Sequence, residues 1–180
     1  MPSPTTTLPD CTVPARVFGD LRRSLAAEAG SLTAIRALHA AGYACGEAAA
    51  EATLGAPLGE ARVLAVDAFW ASLSGALARR GWGTLVHEAA HPAVGTLTSS
   101  DWAEGGFQEG EDGASCSFST GFLCGLLSAV AGNPVAVLEV TCRGRGDPTC
   151  SFAFGGAEAI HALYGRMSEG HDPGAALASL

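Results

Sequence analysis

The sequence predicts an α+β fold, an antiparallel sheet with several helices packed on it. Apolar residues recur at helical spacing over the first 80 residues, and strand-like runs begin only near residue 83. Helices and strands are therefore segregated rather than alternating in βαβ units. The 180 residues suffice for one domain with a sizeable core. We expect this domain over 15–169, between a disordered, proline-rich segment at 1–14 and a frayed tail at 170–180.

Three helices are predicted in the N-terminal part. The first covers the apolar positions of 18–25, and the second begins at Ser31, a candidate N-cap. The second helix carries Gly42-x-x-x-Gly46, a small face that permits close helix packing. We expect that face to contact another helix of the same chain, and a homodimer remains possible. The third helix spans 57–80 and ends at Arg79-Arg80-Gly81.

The sheet is predicted in the C-terminal part of the chain. Two strands around a loop are expected over 83–98, because Val, Thr and Leu alternate there with turn residues. A connection rich in Gly and Glu follows at 103–115. The remaining predicted elements are a helix over 118–131, strands over 135–140 and 151–154, and a last helix over 157–168.

Four residues form the most informative pattern, Cys-x22-Glu-x2-Cys-x7-Cys at Cys116, Glu139, Cys142 and Cys150. Three thiolates and a carboxylate are a plausible tetrahedral zinc set. The last two cysteines flank the turn residues 143–149, so a hairpin brings them together. Cys116 precedes a helix, whose positive N-terminal dipole favours thiolate. We predict a zinc-stapled C-terminal β-hairpin; the alternatives are a disulfide or buried thiols without metal.

The spacing of Glu139 and Cys142 carries a geometric condition. Residues three apart on a regular strand point to opposite faces of the sheet. Both side chains reach one ion only if the strand is irregular between them. We therefore predict that Glu139 precedes a β-bulge, or that the strand ends before Cys142.

The chain resembles the 4-vinyl-reductase domains, a family related to ligand-sensing domains of aromatic-responsive regulators and to vesicle-tethering subunits of similar fold. The resemblance covers roughly 35–165 and is strongest over 116–154. It rests on Cys116-Ser117, Gly121, Gly125, Pro134-Val135, Glu139-x-x-Cys142, Gly146-Asp147-Pro148 and Cys150-x-Phe152. It implies that the three cysteines and the glutamate hold zinc. The family's name further implies a role in bacteriochlorophyll synthesis, through reduction of a 4-vinyl group.

A second motif, His87-Glu88-Ala89-Ala90-His91, spells the H-E-x-x-H of zinc peptidases. That chemistry needs a helix, which puts both imidazoles on one face. Pro92 follows directly and disfavours helical geometry at His91. The candidates for a third ligand, Glu109 and Glu111, lie in a Gly-rich stretch. The peptidase is therefore a minor alternative.

Aromatic residues around His87 are candidates for an apolar ligand pocket. An imidazole among aromatic rings would hydrogen-bond the polar group of a hydrophobic small molecule. The alternative, that these rings are plain core, stays open. The candidate pocket residues are Trp82, His87, Trp102, Phe107, Phe118 and Phe122.

Composition excludes several classes of function. The net charge of −8 and the lack of an extended basic cluster argue against nucleic-acid binding. No apolar stretch reaches the roughly 20 residues of a membrane span. The first residues lack the features of a signal peptide, so we expect a cytoplasmic protein. Reducing conditions there favour metal over a disulfide.

These observations predict a binding module rather than a stand-alone catalyst. Four protein ligands fill a tetrahedral shell, whereas catalytic zinc keeps one position open. No G-x-G-x-x-G lies between a strand and a helix to hold a dinucleotide. We expect a zinc-containing domain that binds a hydrophobic, aromatic or tetrapyrrole-like molecule as a sensor, carrier or accessory. An enzyme or accessory of bacteriochlorophyll synthesis, or a scaffold subunit, are the alternatives.

Overall fold

The computed structural model describes residues 11–107 and 115–180. The helices are α1 (Val17–Ala29), α2 (Ser31–Leu54), α3 (Leu58–Ala61), α4 (Val66–Arg79), α5 (Ser117–Ala131), α6 (Ala157–Ser168) and α7 (Pro173–Ala178). The strands are β1 (Val86–His91), β2 (Val94–Ser99), β3 (Ala136–Thr141) and β4 (Cys150–Gly155). Short 3-10 helices cover Glu104–Phe107 and Arg143–Arg145.

The four strands form one antiparallel sheet in the order β1-β2-β4-β3. Two hairpins, β1–β2 and β3–β4, meet where β2 pairs with β4 at the centre. Phe152 of β4 lies opposite Leu97 of β2 on one side and opposite Glu139 of β3 on the other. The predicted α+β class and the C-terminal hairpin are confirmed.

Both faces of the sheet are covered by helices. Side chains alternate along β4, so Phe152 packs into the main core with α2, α4 and α5, while Ala153 points to the opposite face. There it meets Ile160 and Leu163 of α6 and Ala176 of α7. The sheet is therefore the middle layer of three, and the larger core lies between it and α2, α4 and α5.

Helices α2 and α5 cross at very short range, and glycines on α2 permit it. A Cβ added at Gly42 would lie 2.1 Å from the carbonyl oxygen of Phe118. One added at Gly46 would lie 2.0 Å from the carbonyl oxygen of Phe122. No side chain fits at either position, so only glycine allows this approach.

The facing helix repeats the arrangement. A Cβ at Gly121 would lie 2.0 Å from the carbonyl oxygen of His39, and one at Gly125 would lie 2.1 Å from that of Tyr43. The predicted intramolecular contact of the Gly42-x-x-x-Gly46 face is thus confirmed, and its partner is α5. This face is filled and offers no surface to a second copy of the chain.

The third predicted helix, 57–80, is interrupted in the structure. It divides into α3 and α4, and the break lies at 62–65. The guanidinium of Arg62, at the end of α3, reaches the carbonyls that end α5, which are far away in sequence. Phe69, Leu73 and Leu77 of α4 are buried as the periodicity predicts, whereas Val66 is exposed.

The chain ends differ from expectation at one side. Residues 170–180, expected to fray, contain α7, because Asp172 caps it by accepting a hydrogen bond from the Ala175 N–H at 3.0 Å. Pro173 occupies its first turn, and Ala176 is fully buried. At the other end, residues 1–10 of the expected disordered segment lie outside the described residues, and 11–14 form neither helix nor strand. No helix in the described ranges has the length and apolar character needed to cross a bilayer.

The glycine crossing gives a first prediction. Gly46→Ala should lower the free energy of unfolding by about 2 kcal/mol or more, because the new methyl group would overlap the Phe122 carbonyl. Gly165→Ala is the matched control, since no atom lies within 4 Å of its Cβ position in α6. That variant should be neutral or gain about 0.5–1 kcal/mol from helix propensity. Urea unfolding measures both, and equal midpoints would contradict the packing argument.

Candidate metal centre and ligand cleft

Cys116, Glu139, Cys142 and Cys150 converge in the structure. One ligand atom from each lies within 4.8 Å of all the others. The Cys116 Sγ is 3.9 Å from the Cys142 Sγ and 3.8 Å from the Cys150 Sγ. Sulfurs bound to one tetrahedral zinc at about 2.3 Å lie about 3.8 Å apart, whereas a disulfide needs about 2.05 Å. The spacing fits shared metal ligands and not a disulfide, and all three cysteines are fully buried.

An irregular strand brings Glu139 and Cys142 to the same side. The β3–β4 register shifts between Glu139 and Thr141, and β3 ends at Thr141. The predicted bulge and the predicted strand end before Cys142 are both confirmed. Without this irregularity the two ligands would lie on opposite faces of the sheet.

The turn between β3 and β4 is held by backbone hydrogen bonds around Cys142. Its carbonyl accepts from the N–H groups of Arg145 at 2.9 Å and Asp147 at 3.2 Å, and its own N–H donates to Asp147 Oδ2 at 2.7 Å. Gly146 supplies the required positive φ of 93°. The Arg143 N–H donates to the Cys150 Sγ at 3.4 Å, which favours a thiolate there.

Cys116 lies at the start of α5, as predicted, and connects to Glu139. Its N–H donates to Glu139 Oε2 at 2.9 Å. The other carboxylate oxygen, Oε1, is buried and has no hydrogen-bond partner among the described residues. A buried oxygen without a partner is costly, and a cation among the three sulfurs would satisfy it. The four residues therefore fit a metal ion.

The titration of the cluster supports the same conclusion. Burial raises the pKa of Glu139 to about 8. The adjacent Cys142 and Cys150 sulfurs, together with burial, raise the pKa of the Cys116 thiol. Hydrogen bonds from the Cys116 and Cys142 thiols lower the pKa of Cys150 to about 4. Without a cation, Glu139 and Cys116 therefore hold their protons at pH 7, and metal binding must displace them.

Glu104 is a second buried carboxylate that sequence reasoning missed. It accepts hydrogen bonds from the N–H groups of Phe118 at 3.1 Å and Ser119 at 2.8 Å, and from the Ser119 hydroxyl. Burial raises its pKa to about 7. It satisfies the first turn of α5 from a distant segment, so no local capping pattern reveals it.

The residue after Glu104 covers the metal centre. A Cβ at Gly105 would lie 2.4 Å from the Cys150 Sγ and 3.4 Å from the Cys116 Sγ. The 3-10 helix Glu104–Phe107 therefore packs its backbone directly against the sulfurs. This contact explains why a glycine stands there.

The predicted pocket residues divide into two groups. Trp82 lies at ring-centroid distances of 5.9 Å from Trp102, 5.9 Å from Phe118 and 5.8 Å from Phe122. Trp102 is fully buried and donates its indole N–H to the Ser119 hydroxyl. These four rings belong to the main core and its edge. The side chain of the fifth aromatic candidate, Phe107, lies outside the described part of the structure.

His87 instead lines a cleft of about 670 Å³ between α4, the sheet and the end of α5. Its imidazole stacks on Trp70, with ring centroids 4.4 Å apart and planes 13° from parallel. Phe154 of β4 lies 5.1 Å from Trp70 and continues the aromatic wall. Burial lowers the pKa of His87, so its imidazole is neutral at pH 7. Gly95 leaves room for the Phe154 ring, which would overlap a Cβ at 2.4 Å.

The His87-Glu88-x-x-His91 motif does not form a peptidase site. It lies on strand β1, not on a helix. Four strand residues span about 13 Å, against about 6 Å on a helix, so the two imidazoles do not converge on one ion. The suggested third ligands, Glu109 and Glu111, fall outside the described residues. Both histidines line the cleft instead.

The cluster leads to a prediction about metal content. Cys142→Ser should lose the metal and several kcal/mol of stability, because metal binding and folding are coupled here. Glu139→Gln should weaken binding less, since an amide oxygen can still coordinate. Cys45→Ser is the control, because Cys45 is exposed on α2. Metal analysis and thermal unfolding measure these effects, and an unchanged melting temperature of Cys142→Ser would refute a stabilising metal.

The cover over the sulfurs leads to another prediction. Gly105→Ala should weaken Zn²⁺ binding about tenfold or more, because its methyl group would displace the Cys150 sulfur. Gly106→Ala is the neighbouring control, since its Cβ would meet only Arg143 Nη1 at an ordinary 3.5 Å. Competition with a chromophoric chelator compares them. Equal affinities would show that the cover does not touch the site.

Comparisons with known proteins agree with this fold and site. Residues 108–155 match the family model of the 4-vinyl-reductase domain. The phenol-responsive sensory domain of the transcription activator PoxR, solved with phenol, superposes with a TM-score of 0.64 at 20% identity, covering 80% of this chain and 75% of that one. A trafficking protein particle complex subunit 3 from Naegleria fowleri, covalently bound to palmitic acid, gives 0.63 at 16% identity, covering 78% and 91%.

A vinyl-4-reductase family protein from Methanocaldococcus jannaschii gives a TM-score of 0.52 at 16% identity, covering 81% of this chain and 82% of that one. No curated protein sequence is significantly similar to the chain. At these identities the solved structures establish a shared fold. The chain therefore resembles the 4-vinyl-reductase domains in sequence over the segment that carries the cysteine cluster, and it has the fold of these structures.

Proposed function

We propose that this chain is a zinc-containing domain that binds a small hydrophobic molecule, aromatic or tetrapyrrole-like, and acts as a sensor, carrier or accessory. The observation that carries the proposal is the cleft. Its volume of about 670 Å³ falls within the range of roughly 300–1,000 Å³ usual for small-molecule sites. Trp70 and Phe154 offer aromatic faces in it, and His87 and His91 offer polar atoms.

Zinc is the metal that best suits the donor set. Three thiolates and one carboxylate are soft and borderline ligands in a tetrahedral number, which favours Zn²⁺ over magnesium or calcium. Four protein ligands leave no open position for water or substrate, so the ion supplies stability rather than chemistry. Cys116, Cys142, Cys150 and Glu139 would hold it.

The metal and the cleft share their structural elements. Helix α5 begins beside Cys116 and ends at the cleft with Val130 and Ala131, about 22 Å away along the helix. Strand β4 begins with Cys150 and reaches the cleft with Phe154. A metal that fixes one end of both elements therefore orients the cleft walls at their other ends.

The related structures support a ligand of this class. The PoxR sensory domain holds phenol, and the trafficking subunit carries palmitic acid. Both molecules are small and largely apolar. This chain combines the same fold with a cleft of suitable size and lining, and we infer that it binds a molecule of similar character.

Strand alternation provides a sharp test of the cleft. Ala89 lines it, whereas Ala90, the next residue of β1, points to the other face. Ala89→Trp should fill the cleft and abolish binding of 2-naphthol, a small aromatic probe, because the indole occupies the ligand's space. Ala90→Trp should bind it like the unmodified chain. Isothermal titration calorimetry measures both affinities.

Two results would contradict the proposal. Equal binding of 2-naphthol by the two tryptophan variants would place the probe elsewhere. Absence of any binding by the unmodified, metal-loaded chain would show that the cleft does not accept small aromatic molecules.

A further inference from the structure

We propose that the ligand of this cleft carries an acidic group, and that Arg62 binds its carboxylate while Trp70 and Phe154 hold its aromatic body. This inference rests on the proposed function, because it specifies the ligand class of the same cleft. It assigns to Arg62 a role in ligand specificity. The argument depends on the geometry of Arg62 and on the charges that line the cleft.

Arg62 is held in a fixed orientation by the end of α5. Its Nε–H donates to the Val130 carbonyl at 2.6 Å, and its Nη2 donates to the Ala129 carbonyl at 3.0 Å. The guanidinium lies close over Gly132, where a Cβ would be only 3.0 Å from Nη2. One edge of the guanidinium plane is therefore bound to the protein.

The opposite edge of the same guanidinium keeps its hydrogen-bond donors. A guanidinium has five N–H donors, and two of them are used on the α5 carbonyls. The two on Nη1 and the second on Nη2 remain, and they form the fork that fits a carboxylate in bidentate geometry. Because Arg62 lines the cleft and is already oriented, a carboxylate there meets a preformed partner.

The remaining polar groups of the cleft also favour an anion. The described residues that line it include Arg62, His87 and His91 but no Asp or Glu, in a chain whose net charge is −8. His91 accepts the Ala93 N–H on Nδ1 at 3.2 Å, so its neutral imidazole carries the proton on Nε2 and is a donor. A lining of donors without a carboxylate favours an acidic ligand over a basic one.

Matched probes test this inference. The acid 2-naphthoate and its neutral counterpart 2-naphthamide have nearly the same shape and differ in charge. The unmodified, metal-loaded chain should bind 2-naphthoate about tenfold more tightly, because a charge-assisted bidentate pair exceeds a neutral hydrogen bond by about that factor. Calorimetric titration gives both dissociation constants, and this comparison needs no variant.

Variants then assign the preference to Arg62. Arg62→Gln should bind the two probes equally, and Arg62→Lys should keep part of the preference because it retains the charge without the fork. Arg36→Gln removes the same charge from an exposed position on α2 and should keep the full preference. Because Arg62 also caps α5, circular dichroism and thermal unfolding must first show that each variant is folded.

The outcomes separate this inference from the proposed function. If both probes bind equally, and Ala89→Trp abolishes both, the cleft is a ligand site but the acidic ligand class is wrong. If Arg62→Gln keeps the preference for 2-naphthoate, Arg62 is not the carboxylate partner and the inference fails. If neither these probes nor 2-naphthol bind, the proposed function fails together with it.

Discussion

Three buried sulfurs and one buried carboxylate meet at a single point, and this convergence is the constraint on which the fold depends. Glu139 Oε1 has no hydrogen-bond partner among the described residues, and the cysteines are fully buried. Such a set is costly without a cation and favourable with one. The beginning of α5, the bulged end of β3 and the turn into β4 are all placed by the need to bring these ligands together. Even the backbone at Gly105 is adapted to the sulfurs.

Helix α5 transmits that constraint to the rest of the molecule. Its N-terminus adjoins the metal centre and accepts the buried Glu104, its middle crosses α2 through paired glycines, and its C-terminus is bound by Arg62. The helix cannot shift at one end without affecting the others, because the glycine contacts leave no free space. Metal centre, core and cleft are therefore parts of one rigid arrangement, and a ligand in the cleft contacts elements that the metal orients.

The metal set was predictable from the sequence, because ligand types and spacings are local information. The parity of Glu139 and Cys142 even indicated the bulge, since only an irregular strand places both on one side. The glycine pattern of α2 predicted close packing within the chain, although only the structure identifies α5 as its partner. The cleft was not predictable in this way. It depends on how α4, β1, β4 and α5 meet, so His87 was assigned to Trp82 and Trp102 rather than to Trp70. Glu104 and the cap of α7 were missed, the first because its partners are distant in sequence and the second although Asp172-Pro173 is a local start signal.

The central claim is that one zinc ion occupies the four-ligand centre and holds the fold together. Native mass spectrometry of the protein purified from its own host tests this most directly, because it weighs bound metal and bound organic molecules at once. The account predicts one zinc per chain that is lost only when the protein unfolds. A chain that is folded without metal, whether its cysteines are free or paired in disulfides, would contradict it.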